Sequence, residues 1–452
     1  MPDENRLRRM LSAHDQEHLL TFWDELGPDQ RAELACDVDS IPFEEFARVS
    51  SMRRNEADGP DPSTFDVPDA LPDEPTPSQR ETYAEADELG RQMIRDNRVA
   101  ALVVAGGDAT RLGYDGPKGM FPIGPVSEKS LFQLFAEAIR ATNKRYDCSV
   151  RWYVMTSVSN HDATVTFFEQ HDHFGLDRES VRFFRQGMMP VADRSGKILL
   201  RLKHRVALAP TGHGGCLTAL AETGMLRDMA DHGVDCISYF QVDNPLIQPV
   251  DPRFVGLHAQ FRSEMSSLTI RKASDDEKVG HFVSIDGRVR VVEYTTMPQS
   301  LTALRTPSGD RKFDFANTAA HVLDRAFVER VVGGELSLPW HLANKQVPYI
   351  DTATGDRVTP DAPNAIKAEM FVFDALPRAE RAMVLLARRS ERFSPVKNAV
   401  GVDSIATARR DMVRRAASWL ESCGVRVPSG PDGDPSGAPN VAPPNVSRTP
   451  LG

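Results

Sequence analysis

The stretch VVAGGDATRLGYDGPKG, residues 103–119, decides how the rest of the chain is read. It grows out of VAALVVA, residues 99–105, an almost wholly apolar run of the kind found in strands covered on both faces. Gly106 and Gly107 allow backbone conformations closed to other residues and let main-chain N–H groups approach a ligand. Arg111 and Lys118 bring positive charge to the same loop, which therefore suits a nucleoside triphosphate. The spacing is neither GxGxxG nor GxxxxGK followed by Ser or Thr, so the commonest dinucleotide and ATPase readings fail. A glycine-rich turn carrying two solvated cations remains the plain alternative from this segment alone. Its place at the carboxyl end of a strand favours a ligand.

Outward from this loop, short apolar or alternating runs at 150–156, 181–186, 236–242 and 267–272 are separated by helix-like stretches such as 130–141 and 214–225. That alternation predicts an α/β fold with a mixed, mostly parallel central sheet flanked by helices. Residues 280–285 and 288–294 flank Asp286 and Gly287, which predicts a tight hairpin. A further strand is expected over 368–374 and a helical run over 375–389. Upstream, a polar helix is expected over 79–98, and 7–49 carries Leu19, Leu20, Phe22, Trp23 and Leu26 at helical spacing, with Pro28 opening another helix. The prolines and acids of 50–78 predict an irregular surface connection. Residues 428–452 contain seven prolines and four glycines with almost no large apolar side chain, a composition expected to stay disordered. The expected organisation is a helical N-terminal segment with its Pro-rich connection at 1–78, a central domain at 79–374, a C-terminal segment at 375–427 and the tail at 428–452.

Composition sets the class. At 452 residues the chain exceeds one ordinary core of about 100 to 200 residues, and 40% hydrophobic with 26% charged residues is ordinary for globular proteins. Lys and Arg total 54 against 64 Asp and Glu, a net charge of -10 whose field repels nucleic acid, so any phosphate ligand needs a local basic pocket. Cys36, Cys148, Cys216, Cys236 and Cys423 are scattered, odd in number and without CxxC spacing, which suggests neither a disulfide framework nor a zinc site and fits reduced thiols. The charged first residues and the lack of any run near about 18 apolar residues lead us to expect no leader and no membrane span, hence a cytoplasmic protein.

Two further loops carry chemistry. APTGHGGCLTAL, residues 209–220, puts Gly212, His213, Gly214 and Gly215 at the start of a predicted helix, where unpaired N–H groups favour an anionic or hydroxyl-rich ligand. A surface-loop histidine is the plain alternative for His213. In CISYFQVDNP, residues 236–245, the apolar run ends at Val242 and Asp243 stands just beyond it, where a carboxylate can hold Mg²⁺ against nucleotide phosphates or simply serve a turn.

Read together, these segments resemble the UDP-sugar pyrophosphorylase family, and within it most closely the eukaryotic type of UDP-N-acetylglucosamine pyrophosphorylase, over about residues 19–400. The family's signature LxxGGxGTRLGxxxPKG is matched by residues 103–119 except that Ala109 stands where glycine is usual. FFEQHDHFGL, FRQGMMP, QVDNPLIQPVDPRFVG, VVEY, LPWHLANKQVPYID, NAIKAEMFVFD and RFSPVKNA follow in the family's order. The resemblance implies a nucleotide-diphospho-sugar transferase-like fold, with the nucleotidyltransferase domain at 79–374. It also implies transfer of UMP from UTP to a hexose 1-phosphate, N-acetylglucosamine 1-phosphate above all, with Mg²⁺ or Mn²⁺ as cofactor.

By the same similarity Gly106, Gly107 and Lys118 contact UTP, Gln186 reads the uracil edge, Gly212 lies close to the nucleotide, and Asp243 faces the metal and phosphates. Glu293 and Asn317, with Tyr294 beside them, hold the sugar. Lys367 binds phosphate on the nucleotide side and Lys397 binds the sugar phosphate, so that Arg111, Lys118 and Lys397 are the catalytic cations. Singly, each has a plain alternative: a strand end for Glu293 and Tyr294, a helix cap for Asn317, solvated lysines for Lys367 and Lys397. Two departures bear on the sugar. His213 stands where the acetylglucosamine enzymes usually carry asparagine, as in the GHG of UDP-glucose and broad-range enzymes, and Ala316 precedes Asn317 where glycine is usual. The alternatives are therefore a UDP-glucose or broad-range UDP-sugar pyrophosphorylase and a noncatalytic nucleotide-sugar-binding protein. An NAD-dependent oxidoreductase is disfavoured by the missing GxGxxG.

Overall fold

Val99–Val104, VAALVV, is buried along almost its whole length because it pairs on both sides and is covered on both faces. The computed structural model describes residues 2–52, 61–334, 337–430 and 434–435. They divide into two compact units, the larger from Asp61–Arg185, Ala219–Ser337 and Phe373–Gly452, the smaller from Met1–Pro60, Gln186–Thr218 and Leu338–Val372.

The larger unit is built on a mixed, mostly parallel sheet. From one edge its strands are Leu71–Pro72, Ala382–Leu386, Met265–Arg271, Phe315–Asp324, Cys236–Gln241, Val99–Val104, Trp152–Thr156 and Val181–Arg185. Along this row only Phe315–Asp324 runs antiparallel to its neighbours; every other adjacent pair is parallel. The carboxyl ends of most strands consequently lie on one edge, together with the start of Phe315–Asp324. Phe132, Phe135, Trp152, Phe168 and Phe240 pack edge-to-face in the core. The expected hairpin joins His281–Ile285 to Arg288–Val292 through Asp286 (φ 52°) and Gly287 (φ 73°), the pair of left-handed residues that a two-residue turn demands.

In the smaller unit the helices Glu4–Ala13, Pro28–Asp39 and Phe43–Met52 bury Leu7, Leu11, Leu34, Val38 and Phe46 in one core with Met189, Ile198, Val206, Ile350 and Ala368. The Asp37 carboxylate, 6% exposed, accepts from Arg205 at 2.7 Å and from the Val206 N–H at 3.0 Å. A strand at Ala365–Glu369 lies between His341–Lys345 and Ala192–Asp193.

Five expectations need correction or bounding. The N-terminal helices do not form a segment of their own, since their apolar faces are too small to be buried without residues from 186–218 and 338–372. The connection at 50–78 is not all irregular: Leu71–Pro72 adds a parallel edge strand, where proline is tolerated, and Phe65–Asp66 pairs with His281–Ile285. The strand expected over 368–374 is displaced to Ala365–Glu369, with a 3-10 turn at Val372–Arg378, and the helix expected over 375–389 is instead the strand Ala382–Leu386. AMVLL is apolar on both faces, so its pattern cannot separate a buried strand from a helix. Most of the tail expected to be disordered, and residues 53–60 of the connection, lie outside the described residues.

Candidate active site

In the larger unit the signature loop leaves the Val99–Val104 strand at Ala105 and is closed by the hydrogen bond from the Lys118 N–H to the Gly107 carbonyl at 3.0 Å. Its glycines have different duties. A Cβ on Gly119 would stand 2.1 Å from the Phe132 ring, so Gly119 serves packing, whereas a Cβ on Gly107 would meet nothing within 4 Å. Ala109, where the signature expects glycine, has φ -95° and ψ 23°, accessible to any L-residue, and its methyl is buried in the core. The substitution therefore neither strains the loop nor narrows its outer face, which removes the main support for a noncatalytic protein. Arg111 lies exposed in the turn Thr110–Leu112, and Lys118 is half-buried at the start of Lys118–Met120. Asn160, missed from the sequence, is 2% exposed and donates to the Ala105 carbonyl at 3.2 Å, fixing the point where strand becomes loop.

Asp243 stands two residues past the end of the neighbouring parallel strand, Cys236–Gln241. Gln241 is in register with Val104, and the Val242 N–H donates to the Val104 carbonyl at 3.2 Å, so the chain enters Asp243 beside the point where the glycine loop leaves its strand. Lys397, more than 150 residues downstream, is brought to the same edge. The Val396 N–H donates to the Asp243 carbonyl at 2.8 Å, the Lys397 N–H to the Asp403 carbonyl at 2.7 Å, and the ammonium lies 3.5 Å from Asp403 Oδ2. Among the described residues no group of three or more His, Cys, Asp or Glu forms a ready-made metal cage. A half-buried single carboxylate beside a phosphate loop fits Mg²⁺, which characteristically takes one or two carboxylates and completes its shell with substrate phosphate and water.

Glu293 and Asn317 meet around Gly280. The Asn317 N–H donates to the Gly280 carbonyl at 2.8 Å, and a Cβ on Gly280 would lie 3.3 Å from Glu293 Oε1 and 3.7 Å from Asn317 Cβ. Asn317 is no helix cap: it sits in the strand Phe315–Asp324, beside an irregularity in the pairing with Met265–Arg271, and its Oδ1 accepts from the Ala319 N–H at 2.9 Å. Ala316 points to the opposite face, its methyl wholly buried in the core, so it does not crowd the groups around Asn317. Tyr294, next to Glu293, is 43% exposed.

Beside this group His281 is 2% exposed, with Nε2 3.5 Å from the Lys272 ammonium and Nδ1 3.4 Å from the Phe313 carbonyl. Burial, reinforced by the Lys272 charge, pulls the His281 pKa down to about 4. An unfolded histidine titrates near 6.5, so between those values the unfolded chain binds more protons and stability falls as the pH drops. We expect thermal stability to decline from about pH 6.5 towards pH 4 and His281→Gln to flatten that decline by at most about 1.4 kcal/mol per pH unit. Melting curves across that range check it; an unchanged slope contradicts the assignment.

The other predicted residues belong to the smaller unit. Met188–Pro190 pairs with Leu208–Pro210, which brings Gln186 and Gly187 to the same end as Thr211 and Gly212; the Thr211 N–H donates to the Gly187 carbonyl at 3.1 Å. Gln186 is buried there at 7% exposure. Gly212 has φ +79°, and a Cβ on it would stand 2.6 Å from the Met370 carbonyl oxygen. The N–H groups of Gly214 and Gly215 are not left for a ligand as the sequence suggested: they donate to the carbonyls of Met370 and Gly212 at 2.8 and 3.1 Å. Glycine is needed at 214 because a Cβ would fall 2.6 Å from the Phe371 carbonyl carbon. His213 stacks on Phe371 and accepts at Nδ1 from the Val372 N–H at 3.2 Å; dense surrounding protein, with His341 nearby, pulls its pKa down to about 4. It is therefore neutral near pH 7, and no simple surface histidine. Lys367 lies in the strand Ala365–Glu369, on the face opposite the buried Ala368 and shared with Glu369, whose Cβ would be 3.1 Å from a Cβ on Gly212.

The family described as UTP–glucose-1-phosphate uridylyltransferase matches residues 67–410. The human protein named UDP-N-acetylhexosamine pyrophosphorylase-like protein 1 is 36% identical over 97% of this chain and 91% of its own length. The UDP-N-acetylglucosamine pyrophosphorylase of Saccharomyces cerevisiae is 33% identical over 76% of this chain and 74% of its own. Among solved structures, the uridine diphosphate N-acetylglucosamine pyrophosphorylase of Trypanosoma brucei in complex with an inhibitor superposes with a TM-score of 0.81 at 27% identity, covering 93% of this chain and 86% of that one.

Proposed function

This chain belongs to the UTP–glucose-1-phosphate uridylyltransferase family, and from that premise we propose that it transfers UMP from UTP to a hexose 1-phosphate, with N-acetylglucosamine 1-phosphate the preferred acceptor, releasing pyrophosphate. The observation that carries the chemistry is the 2.8 Å bond from Val396 to Asp243, which seats Lys397 on the edge that bears the glycine loop.

The sugar phosphate oxygen forms a bond to the α-phosphorus of UTP while the bond from that phosphorus to the β-bridging oxygen breaks, and pyrophosphate leaves with the electron pair. The attacking oxygen is already ionised near neutral pH, so no general base is required. What opposes the step is repulsion between two polyanions, about 4 kcal/mol per charge pair at 4 Å and an effective dielectric near 20. Lys118 and Arg111 act on the UTP phosphates, Lys397 on the sugar phosphate and Lys367 on the nucleotide side, all by orientation and charge stabilisation. Gly106, Gly107 and Gly212 allow close approach to the nucleotide, Gln186 reads the uracil, and Glu293, Tyr294 and Asn317 hold the sugar. Asp243 would hold Mg²⁺ or Mn²⁺, which when bound neutralises phosphate charge. Asp243→Asn should raise the Mg²⁺ concentration for half-maximal activity by on the order of tenfold, the size of one charge-assisted contact of about 1.4 kcal/mol; an unchanged metal titration removes Asp243 from the site.

His213 favours a second reading, a UDP-glucose or broad-range enzyme. Pyrophosphate release with UTP and a panel of hexose 1-phosphates separates the two: preference for the acetylamino sugar is expected, and a higher kcat/KM for glucose 1-phosphate would replace it. A cytoplasmic location is part of the same proposal, supported by five cysteines that form no disulfide; no described helix is long and apolar enough to cross a membrane.

A further inference from the structure

We propose that Asn244 is a positioning residue for the transfer, holding the segment that ends in Lys397 against the strand end that bears Asp243; the assignment rests on the uridylyltransferase reading above. Asn244 is 3% exposed. Its Nδ2 donates to the Arg392 carbonyl at 2.7 Å, and its Oδ1 accepts from the N–H groups of Ser394 and Leu246, each at 3.2 Å. A buried amide thus spends its hydrogen bonds on backbone, and two of them cross to a segment nearly 150 positions away. Two residues beyond Ser394 comes the bond from Val396 to Asp243, and the next residue is Lys397.

A separate tie explains why the fold does not depend on this amide alone. Arg415, from the helix Ile405–Ser422, donates to the carbonyls of Leu246 and Glu391 at 2.6 and 3.2 Å, clamping the outer parts of the same two segments. Asp243 is held differently, through the sheet by the Val242 bond to Val104. Loss of Asn244 therefore leaves the carboxylate in place and lets the register of 392–397 shift, carrying the lysine with it.

The test is a double-mutant cycle on the full chain with UTP, Mg²⁺ and N-acetylglucosamine 1-phosphate. Asn244→Ala is expected to raise KM for the sugar 1-phosphate and lower kcat/KM by about ten- to a hundredfold, the penalty of a misplaced group, with KM for UTP and the Mg²⁺ titration unchanged. In a Lys397→Ala background the same substitution should cost less than about twofold, because its effect passes through the lysine. Should Asn244→Ala lack a cooperative thermal transition, Asn244→Asp enters the same cycle, since it keeps the acceptor but loses the donor to Arg392. Additive losses, or a raised UTP KM or metal requirement, overturn the positioning role. Inactivity of the wild-type chain overturns the uridylyltransferase reading and this assignment with it, whereas additivity on an active wild type overturns the assignment alone.

Discussion

Replacing Lys397 by alanine should lower kcat/KM with UTP and N-acetylglucosamine 1-phosphate by ten- to a thousandfold, about 1.4 to 4 kcal/mol, while the protein melts at nearly its normal temperature. The side chain is half-exposed, and its 3.5 Å ion pair with Asp403 is of the partly solvated kind worth at most about 1 kcal/mol. Folding therefore depends little on the ammonium. On the proposed assignment the reaction is expected to depend on it much more, because the phosphate it would meet approaches a second polyanion in the transition state and no proton transfer can substitute for that charge. Lys397→Arg keeps the charge but not its shape and should recover only part of the loss. Steady-state kinetics on the folded variants decide the matter, and normal turnover by Lys397→Ala refutes the assignment.

Gly256→Ala should have the largest effect on stability. The helices Arg80–Arg95 and Pro252–Gln260 cross with Gly90 and Gly256 at the contact. A Cβ on Gly256 would lie 1.7 Å from the Ala86 carbonyl oxygen, and one on Gly90 1.8 Å from that of Pro252. Both obstacles are backbone, so no side-chain rotation relieves them and the helices must separate. Overpacking of this kind costs about 3 kcal/mol, which lowers Tm by roughly 4 to 5 °C in a unit of more than about 300 residues. A melting curve within 2 °C of wild type would show that the crossing tolerates a methyl group.

The sequence carried the sheet because its strands are short apolar runs punctuated by turns, and VAALVV, WYVMT and CISYFQ each fold where their patterns predict. AMVLL misled because a strand covered on both faces has no alternation to read, and Leu71–Pro72 was hidden because two residues leave no period. Asp243, Lys118 and Lys397 were singled out through motif resemblance, and their placement at one edge follows from bonds such as Val396 to Asp243 that no local pattern encodes. Asn160 and Asn244 went unnoticed for the same reason: their partners lie 55 and about 150 positions away. The second glycine loop was read as an anion cradle, yet Gly214 and Gly215 are glycines because Phe371 and Thr211 leave no room for a side chain. Gly280, around which Glu293 and Asn317 gather, carried no signal at all in the sequence.

On the proposed reading, the edge bearing Gly106, Gly107, Lys118, Asp243 and Lys397 brings two anionic reactants together for in-line transfer. Pyrophosphate release by the full chain with UTP, Mg²⁺ and N-acetylglucosamine 1-phosphate tests it most directly. Release is expected to need all three components and to be matched mole for mole by UDP-N-acetylglucosamine; UTP binding with no pyrophosphate formed, or release indifferent to the sugar phosphate, would rule out the transfer.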